Sequence, residues 1–259
     1  MENTTDIPKR VLILAGMHRS GTSLVSHYLE KCGLNMGEKL VPADVGNVLG
    51  YFEDQDFLNF HKAALIKNGI GTFLPEKSSL PIRVEGIERE RAMEILRARK
   101  HLNQWGWKEP RTTLFLDFWF EIVENARFLF LIRHPLGVAD SLLRRGTDAN
   151  ILRKPILGLK AWRIYNEEVL RFTRLHPDVS LVYEIDDLIR QPEKFRLIIE
   201  KKFQIKLNAA QFEEVFSKNN FNLHYSPKVW RLQVLRIIEF LQCMRLYEKL
   251  QALHEYSLQ

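Results

Sequence analysis

The sequence predicts an α/β fold, a central parallel sheet with helices on both faces, and three observations predict it. Helical stretches alternate with short apolar strands along the 259-residue chain, as expected of a sheet covered on both sides. Phe128-Leu129-Phe130-Leu131-Ile132 is a continuous apolar run, the pattern of a buried parallel strand. Val11-Leu12-Ile13-Leu14-Ala15 is a second such strand, and a glycine-bounded loop and a helix follow it. Strand, loop and helix in that order form a phosphate cradle, because loop N–H groups and the positive helix end face one anion. The three-layer fold is therefore read as P-loop-like.

In chain order the reading is strand 10–15, helix 21–33, a long loop 34–53, helix 54–67 and a polar loop 68–84. Helix 86–102, strand 105–108, helix 111–124, strand 127–132, helix 136–145 and helix 157–175 follow. Strand 179–183 leads to short helices 185–190, 192–203 and 209–218 and a final helix over 229–254. Trp105-Gly106-Trp107 reads as a short strand running into a charged turn, and Pro135 fits the first turn of a helix. In the tail, Leu232, Leu235, Ile238, Leu241, Met244 and Tyr247 recur at helical spacing, and Val234, Phe240 and Leu246 widen the stripe. That face packs on the core or on a second copy of the chain, as a homodimer. Loops 34–53 and 68–84 exceed the ~12–15 residues usual for structureless connections, which points to function or mobility. With no repeat and no low-complexity linker, residues 1–259 read as one domain with a C-terminal helical segment from about 205.

Hydrophobic content of 46% and charged content of 27% are those of a globular protein. The net charge of +6 suits an anionic ligand, and no motif supports nucleic acid. No apolar run approaches the ~20 residues of a membrane span. The first ten residues are polar, so no secretory signal is expected and the location predicted is cytoplasmic. Cys32 and Cys243 have no histidine at metal-ligand spacing and read as buried thiols, with no metal.

The loop after the first strand is Gly16-Met17-His18-Arg19-Ser20-Gly21-Thr22-Ser23. Its glycines have the spacing of G-x-x-x-x-G-K-[ST], but Thr22 stands in the lysine slot and the basic residue is Arg19. Arg-Ser-Gly-Thr directly after the first strand resembles the 5′-phosphosulfate loop of sulfotransferases, in the form found in tyrosylprotein and many bacterial members. The donor in that family is 3′-phosphoadenosine-5′-phosphosulfate (PAPS). The resemblance assigns Arg19, Ser20, Gly21, Thr22 and Ser23 to it.

A second motif is Arg133-His134-Pro135 at the carboxyl end of the strand 127–132, with Ser141 eight residues on and Arg145 one helical turn beyond. That end is the ligand edge of an open α/β sheet. The resemblance implies Arg133, Ser141 and Arg145 as ligands of the donor's 3′-phosphate, and a guanidinium fork with a hydroxyl suits a phosphate monoester. Between the two motifs, Lys108-Glu109-Pro110-Arg111 resembles the Lys-Asp-Pro run of the tyrosylprotein enzymes. That resemblance gives Lys108 the role of stabilising charge on the bridging oxygen. Arg111 departs from the pattern and is assigned to acceptor or donor. Pro110 occupies the place of the cytosolic enzymes' catalytic histidine. Magnesium is not required in the family, and no acidic residue ends the strand 127–132.

The base that takes the acceptor's proton falls in the segment after the first helix. Glu53, in Gly50-Tyr51-Phe52-Glu53, is the first choice, because that run resembles one in bacterial members. Asp44 and Glu38 fit the tyrosylprotein spacing better, and His61 is a further candidate. Tyr183-Glu184 resembles the family's Tyr-Glu-x-Leu stretch, which places Tyr183 at the adenosine. Trp162, Trp230 and Lys228 are read as core or as lining of the donor or acceptor site. The function expected is sulfuryl transfer from PAPS to a hydroxyl or amine of a small molecule or glycan. Two rivals remain: a P-loop kinase or NTPase, and a non-catalytic adenosine 3′,5′-bisphosphate-binding protein.

Overall fold

The computed structural model describes residues 9–42, 50–71, 82–146, 148–216 and 237–258. Four strands form one sheet: β1 (Arg10–Ala15), β2 (Gln104–Lys108), β3 (Ala126–Ile132) and β4 (Ser180–Glu184). Their order is β2-β1-β3-β4 and every pair is parallel. The first helix to follow β1 is α1 (Thr22–Lys31), and α2 (Gln55–Lys67) and α3 (Ile87–Ala98) precede β2. Next come α4 (Leu116–Ile122), α5 (Pro135–Arg145), α6 (Ala149–Arg153) and α7 (Ile156–Leu175). After β4 stand α8 (Ile185–Arg190), α9 (Pro192–Phe203) and α10 (Ile237–Ser257).

Alternation along the strands sends side chains to two separate cores. Leu12 and Leu14 of β1 join Leu129, Leu131 and Leu181 beneath α1 and α9, where Val25, Leu29, Phe195 and Ile199 complete the layer. Ile13 and Ala15 point the other way with Phe128, Phe130 and Val182, and meet Trp162, Val169 and Phe172 of α7 and Leu250 of α10. Both faces of the sheet are thus dry, which is why the strands read as unbroken apolar runs. This is the P-loop-like α/β architecture with helices on both faces. Both cysteines are buried and free.

Three expectations need correction. Helix 111–124 is two elements, a 3₁₀ turn over Pro110–Leu114 and then α4. The cause lies in its polar side chains. Glu109 caps the turn through the Arg111 N–H at 3.0 Å, Thr112 Oγ1 accepts from Trp107 Nε1 at 3.2 Å and Thr113 Oγ1 accepts from Gly16 N at 2.9 Å. A short helix, α6, interrupts the expected loop 145–156, because Asp148 accepts from the N–H groups of Asn150 and Ile151. In place of helix 209–218 stands a 3₁₀ turn, Phe212–Glu214. The last helix is described from Ile237 onward; Asp44, Lys228, Trp230 and the rest of 217–236 lie outside the described residues. No described helix is long and apolar enough to cross a membrane.

Candidate active site

The order β2-β1-β3-β4 places β1 between the strands that the chain adds to its left and to its right. In an open α/β sheet the ligand crevice lies at that switch point, beyond the carboxyl ends. Three sequence-named groups arrive there: the 16–23 loop from β1, Lys108 from β2 and Arg133 from β3.

The loop is held tightly. Gly16 has φ +134°, and a Cβ there would sit 2.6 Å from the Leu131 carbonyl oxygen, so only glycine lets the loop turn over β3. Arg19 adopts a left-handed φ of +70°, a strain of about 1–3 kcal/mol for a side-chain-bearing residue. Two bonds hold it: Arg19 Nε donates to Ser141 Oγ at 2.9 Å, and Arg133 Nη1 donates to the Arg19 carbonyl at 3.2 Å. The loop of β1 and the turn and helix after β3 are thereby one unit. Trp162 is core, fully buried, and its indole N–H fixes the Arg133 carbonyl at 3.0 Å.

Positive charge is concentrated here. Burial lowers the Arg19 guanidinium to about 10, and the neighbouring Arg145, Arg133 and Arg144 cations push the same way. Among the described residues Arg19 has no carboxylate partner. Ser20 Oγ and Arg145 Nε are shut off from water without a hydrogen-bond partner among those residues. The N-terminus of α1 has no side-chain cap and no acidic residue in its first turn. Orphaned donors, crowded guanidinium groups and an uncapped helix end are together the features of an anion site. They fit a donor with phosphate at two ends.

A cleft of about 430 Å³ opens beside this unit and is lined by Arg19, Thr22, Ser23, Tyr51, Glu53, Lys108, Arg111 and Arg145, with His18, Lys62 and Asp148 among the others. That volume suits a small-molecule site. Lys108 is 1% exposed and donates to Glu53 Oε1 at 3.0 Å. Burial lowers the pKa of Lys108, and Glu53 opposes that shift. Behind the pair, burial pushes the Glu109 carboxyl up, but Arg111 and His61 outweigh it and hold it at about 2. Arg111 bonds the Glu109 carboxylate with its side chain as well as its N–H. His18 is kept well below the usual imidazole range by burial, then by Arg111.

The structure brings Arg19, Ser20, Gly21, Thr22, Ser23, Arg133, Ser141 and Arg145 together and sets Lys108 and Glu53 in the adjoining cleft. Three named residues are elsewhere. His61 is fully buried, with Nδ1 2.8 Å from Glu109 Oε2 and Nε2 accepting from the Trp119 indole at 2.9 Å. Burial lowers its pKa, and its ring packs inside the core rather than lining the cleft. Tyr183 is 1% exposed, edge-on to Phe195 and His254 in the α9 core, and does not line the cleft. Glu38 lies apart from the cleft, 3.8 Å from His101. Sequence reasoning gave no role to Tyr51, although it sits two residues before Glu53, nor to the Glu109 carboxylate that anchors Arg111.

No protein-family model matches the sequence, and no curated protein matches it. Solved structures do. The sulfotransferase domain of the Synechococcus PCC 7002 olefin synthase superposes with a TM-score of 0.57 at 18% identity, covering 96% of each chain. The sulfotransferase STF1 from Mycobacterium tuberculosis H37Rv gives a TM-score of 0.53 at 13% identity, covering 90% of this chain and 76% of that one. With its parallel sheet, β1 loop and crevice arranged as described, the chain has the sulfotransferase fold.

Proposed function

We propose that this chain moves a sulfuryl group from PAPS to a hydroxyl or amine of an acceptor. The observation that carries the reading is the convergence of two anion sites, around Arg19 and around Arg133 with Ser141 and Arg145, beside a buried Lys108–Glu53 pair. PAPS supplies the sulfuryl group and leaves as adenosine 3′,5′-bisphosphate. The N–H groups at the start of α1, with Arg19, Ser20, Thr22 and Ser23, hold its 5′ end, and Arg133, Ser141 and Arg145 hold its 3′-phosphate. Lys108 offsets charge that develops on the bridging oxygen, in a buried setting where that charge is poorly screened by water. Glu53 takes the acceptor's proton. Its carboxylate lines the open cleft, so an acceptor reaches it from solvent. Thr22 in the lysine slot and Arg133 at the end of β3 favour this chemistry over nucleotide hydrolysis.

Calorimetry in EDTA tests the donor. Adenosine 3′,5′-bisphosphate is expected to bind saturably and at least tenfold tighter than AMP, since the 3′-phosphate adds charged hydrogen bonds. Equal affinity for AMP, or binding of ATP alone and only with magnesium, overturns the reading. Transfer of labelled sulfate from PAPS onto fractionated small molecules then identifies the acceptor.

A further inference from the structure

Tyr51 touches both halves of the donor site. Its hydroxyl accepts from Arg145 Nη2 at 2.6 Å, and the Arg145 guanidinium carbon lies 5.3 Å from its ring centroid. Its carbonyl accepts from Ser23 Oγ at 3.0 Å, in the first turn of α1. The next residue, Phe52, has a left-handed φ of +50° and stacks on His27 of α1 at 4.5 Å and 17°. Two residues beyond Tyr51, Glu53 meets Lys108. One strained turn, 51–53, thus connects the 3′-phosphate cation, the 5′ loop helix and the buried ion pair.

Arg145 needs such a holder. It is the last residue of α5 and half-buried, and a long side chain at a helix end has many solvent-facing rotamers. Like charge bears on it too, because Arg145 acts on the Arg19 guanidinium together with Arg133. The Tyr51 ring offers a cation–π face and its oxygen a charged hydrogen bond, and both pull the guanidinium back over the cleft. Phenylalanine in a left-handed conformation persists only where its surroundings over-determine it. Here the His27 stack and the Ser23 bond do so, and they fix the place of the Tyr51 ring.

We propose that Tyr51 is a positioning residue that holds Arg145 over the 3′-phosphate subsite and so sets the preference for a 3′-phosphorylated nucleotide. The inference rests on the role proposed above for Arg145. It gives the turn that carries Glu53 a share in donor specificity beside Arg133 and Ser141, because the residue that aims Arg145 comes from that turn.

The test is a double-mutant cycle read by calorimetry with adenosine 3′,5′-bisphosphate and with AMP. Tyr51→Phe keeps the ring and deletes one hydroxyl, so the fold is expected to survive, and its melting temperature checks that. Affinity for the bisphosphate is expected to drop about tenfold, the loss of a charged hydrogen bond, while affinity for AMP stays within about twofold. Arg145→Ala is expected to lose at least as much, and Tyr51→Phe added to it to lose nothing further. Equal losses for both nucleotides, additive losses in the cycle, or unchanged bisphosphate affinity in Tyr51→Phe each overturn the proposal. Failure of the underlying reading looks different: the wild-type chain then shows no preference for the bisphosphate at all.

Discussion

Lys108→Met separates what the Lys108–Glu53 pair does for the fold from what it does for chemistry. The ammonium is 3.0 Å from Glu53 Oε1, and the two side chains are 1% and 10% exposed. Deleting the cation leaves an almost enclosed carboxylate without its hydrogen-bonded partner and with only the more distant Arg111 to oppose its charge, and breaking a buried pair from one side costs about 3–5 kcal/mol. In a chain of this length that lowers the melting temperature by roughly 10 °C. Lys108→Met with Glu53→Gln removes both charges at similar volume and is expected to recover most of that loss, since neutral packing replaces a buried pair without great penalty. Turnover behaves differently. The single variant is expected to fall ~100-fold at saturating PAPS, and the double variant to stay down, because neither residue can then act on charge or proton. Thermal and urea unfolding beside turnover of the same preparations decides it. A double variant as unstable as the single one refutes the electrostatic account of the pair. A double variant that regains turnover refutes the transition-state role of Lys108.

Arg133→Ala is expected to weaken binding of adenosine 3′,5′-bisphosphate by roughly ten- to a hundredfold while slowing transfer less at saturating donor, and an unchanged dissociation constant removes Arg133 from the site. Glu53→Gln alone is expected to reduce turnover ~100- to 10,000-fold with donor affinity nearly unchanged, and full turnover in that variant moves the base elsewhere. Acid unfolding carries two signatures. His18 and His61 sit below the ordinary 6.5, so the unfolded chain takes up protons first and stability begins to fall as pH drops below that value. Glu109, held at about 2, adds stability above the ordinary 4.5 that is lost as pH falls from 4.5 toward 2, on the order of 3 kcal/mol in all. Urea unfolding from pH 7 to 3 measures both, and an undiminished slope below 4.5 in Glu109→Gln removes that carboxylate from the account.

Strands and the turn after β1 were legible because each depends on few residues in sequence order. β1 and β3 are buried on both faces, so nearly every residue must be apolar. The Gly16 and Gly21 positions carry backbone conformations that demand glycine, which leaves a mark in the sequence itself. What stayed hidden depends on tertiary partners. His61 looks like any helical histidine until α2 packs it between Glu109 and the Trp119 indole. The break between the Pro110–Leu114 turn and α4 follows from where Thr112 and Thr113 find their bonds, one with Trp107 and one with Gly16. Helix α6 carries a local signal, the Asp148 cap, but at five residues it is too short to show helical spacing. Tyr183 kept a family-like neighbourhood in sequence while its ring turned into the α9 core.

The same distinction divides the site mechanically. Parallel strands lie about 5 Å apart, and the register pairs Leu14 with Lys108 and Ala15 with Phe130. The loop from β1, Lys108 and Arg133 therefore occupy places along the sheet edge that only a sheet-wide shift can alter. Register shifts of that kind turn every core side chain to the wrong face, so the sheet-edge part of the site is as rigid as the core beneath it. Glu53 has no such support. It is reached through a left-handed Phe52, and its polar anchors are Lys108, the Val41 N–H from which its own carbonyl accepts at 2.8 Å, and the Ser23 and Arg145 contacts of Tyr51. Loss of any one of those contacts is expected to displace the carboxylate without disturbing β1 to β4. Side-chain changes at 51–53 thus reach Glu53 and, through Tyr51, Arg145, while Lys108 and Arg133 are bound to the sheet. That asymmetry explains why the residues on the sheet edge carry the family resemblance and those around Glu53 carry no readable acceptor code.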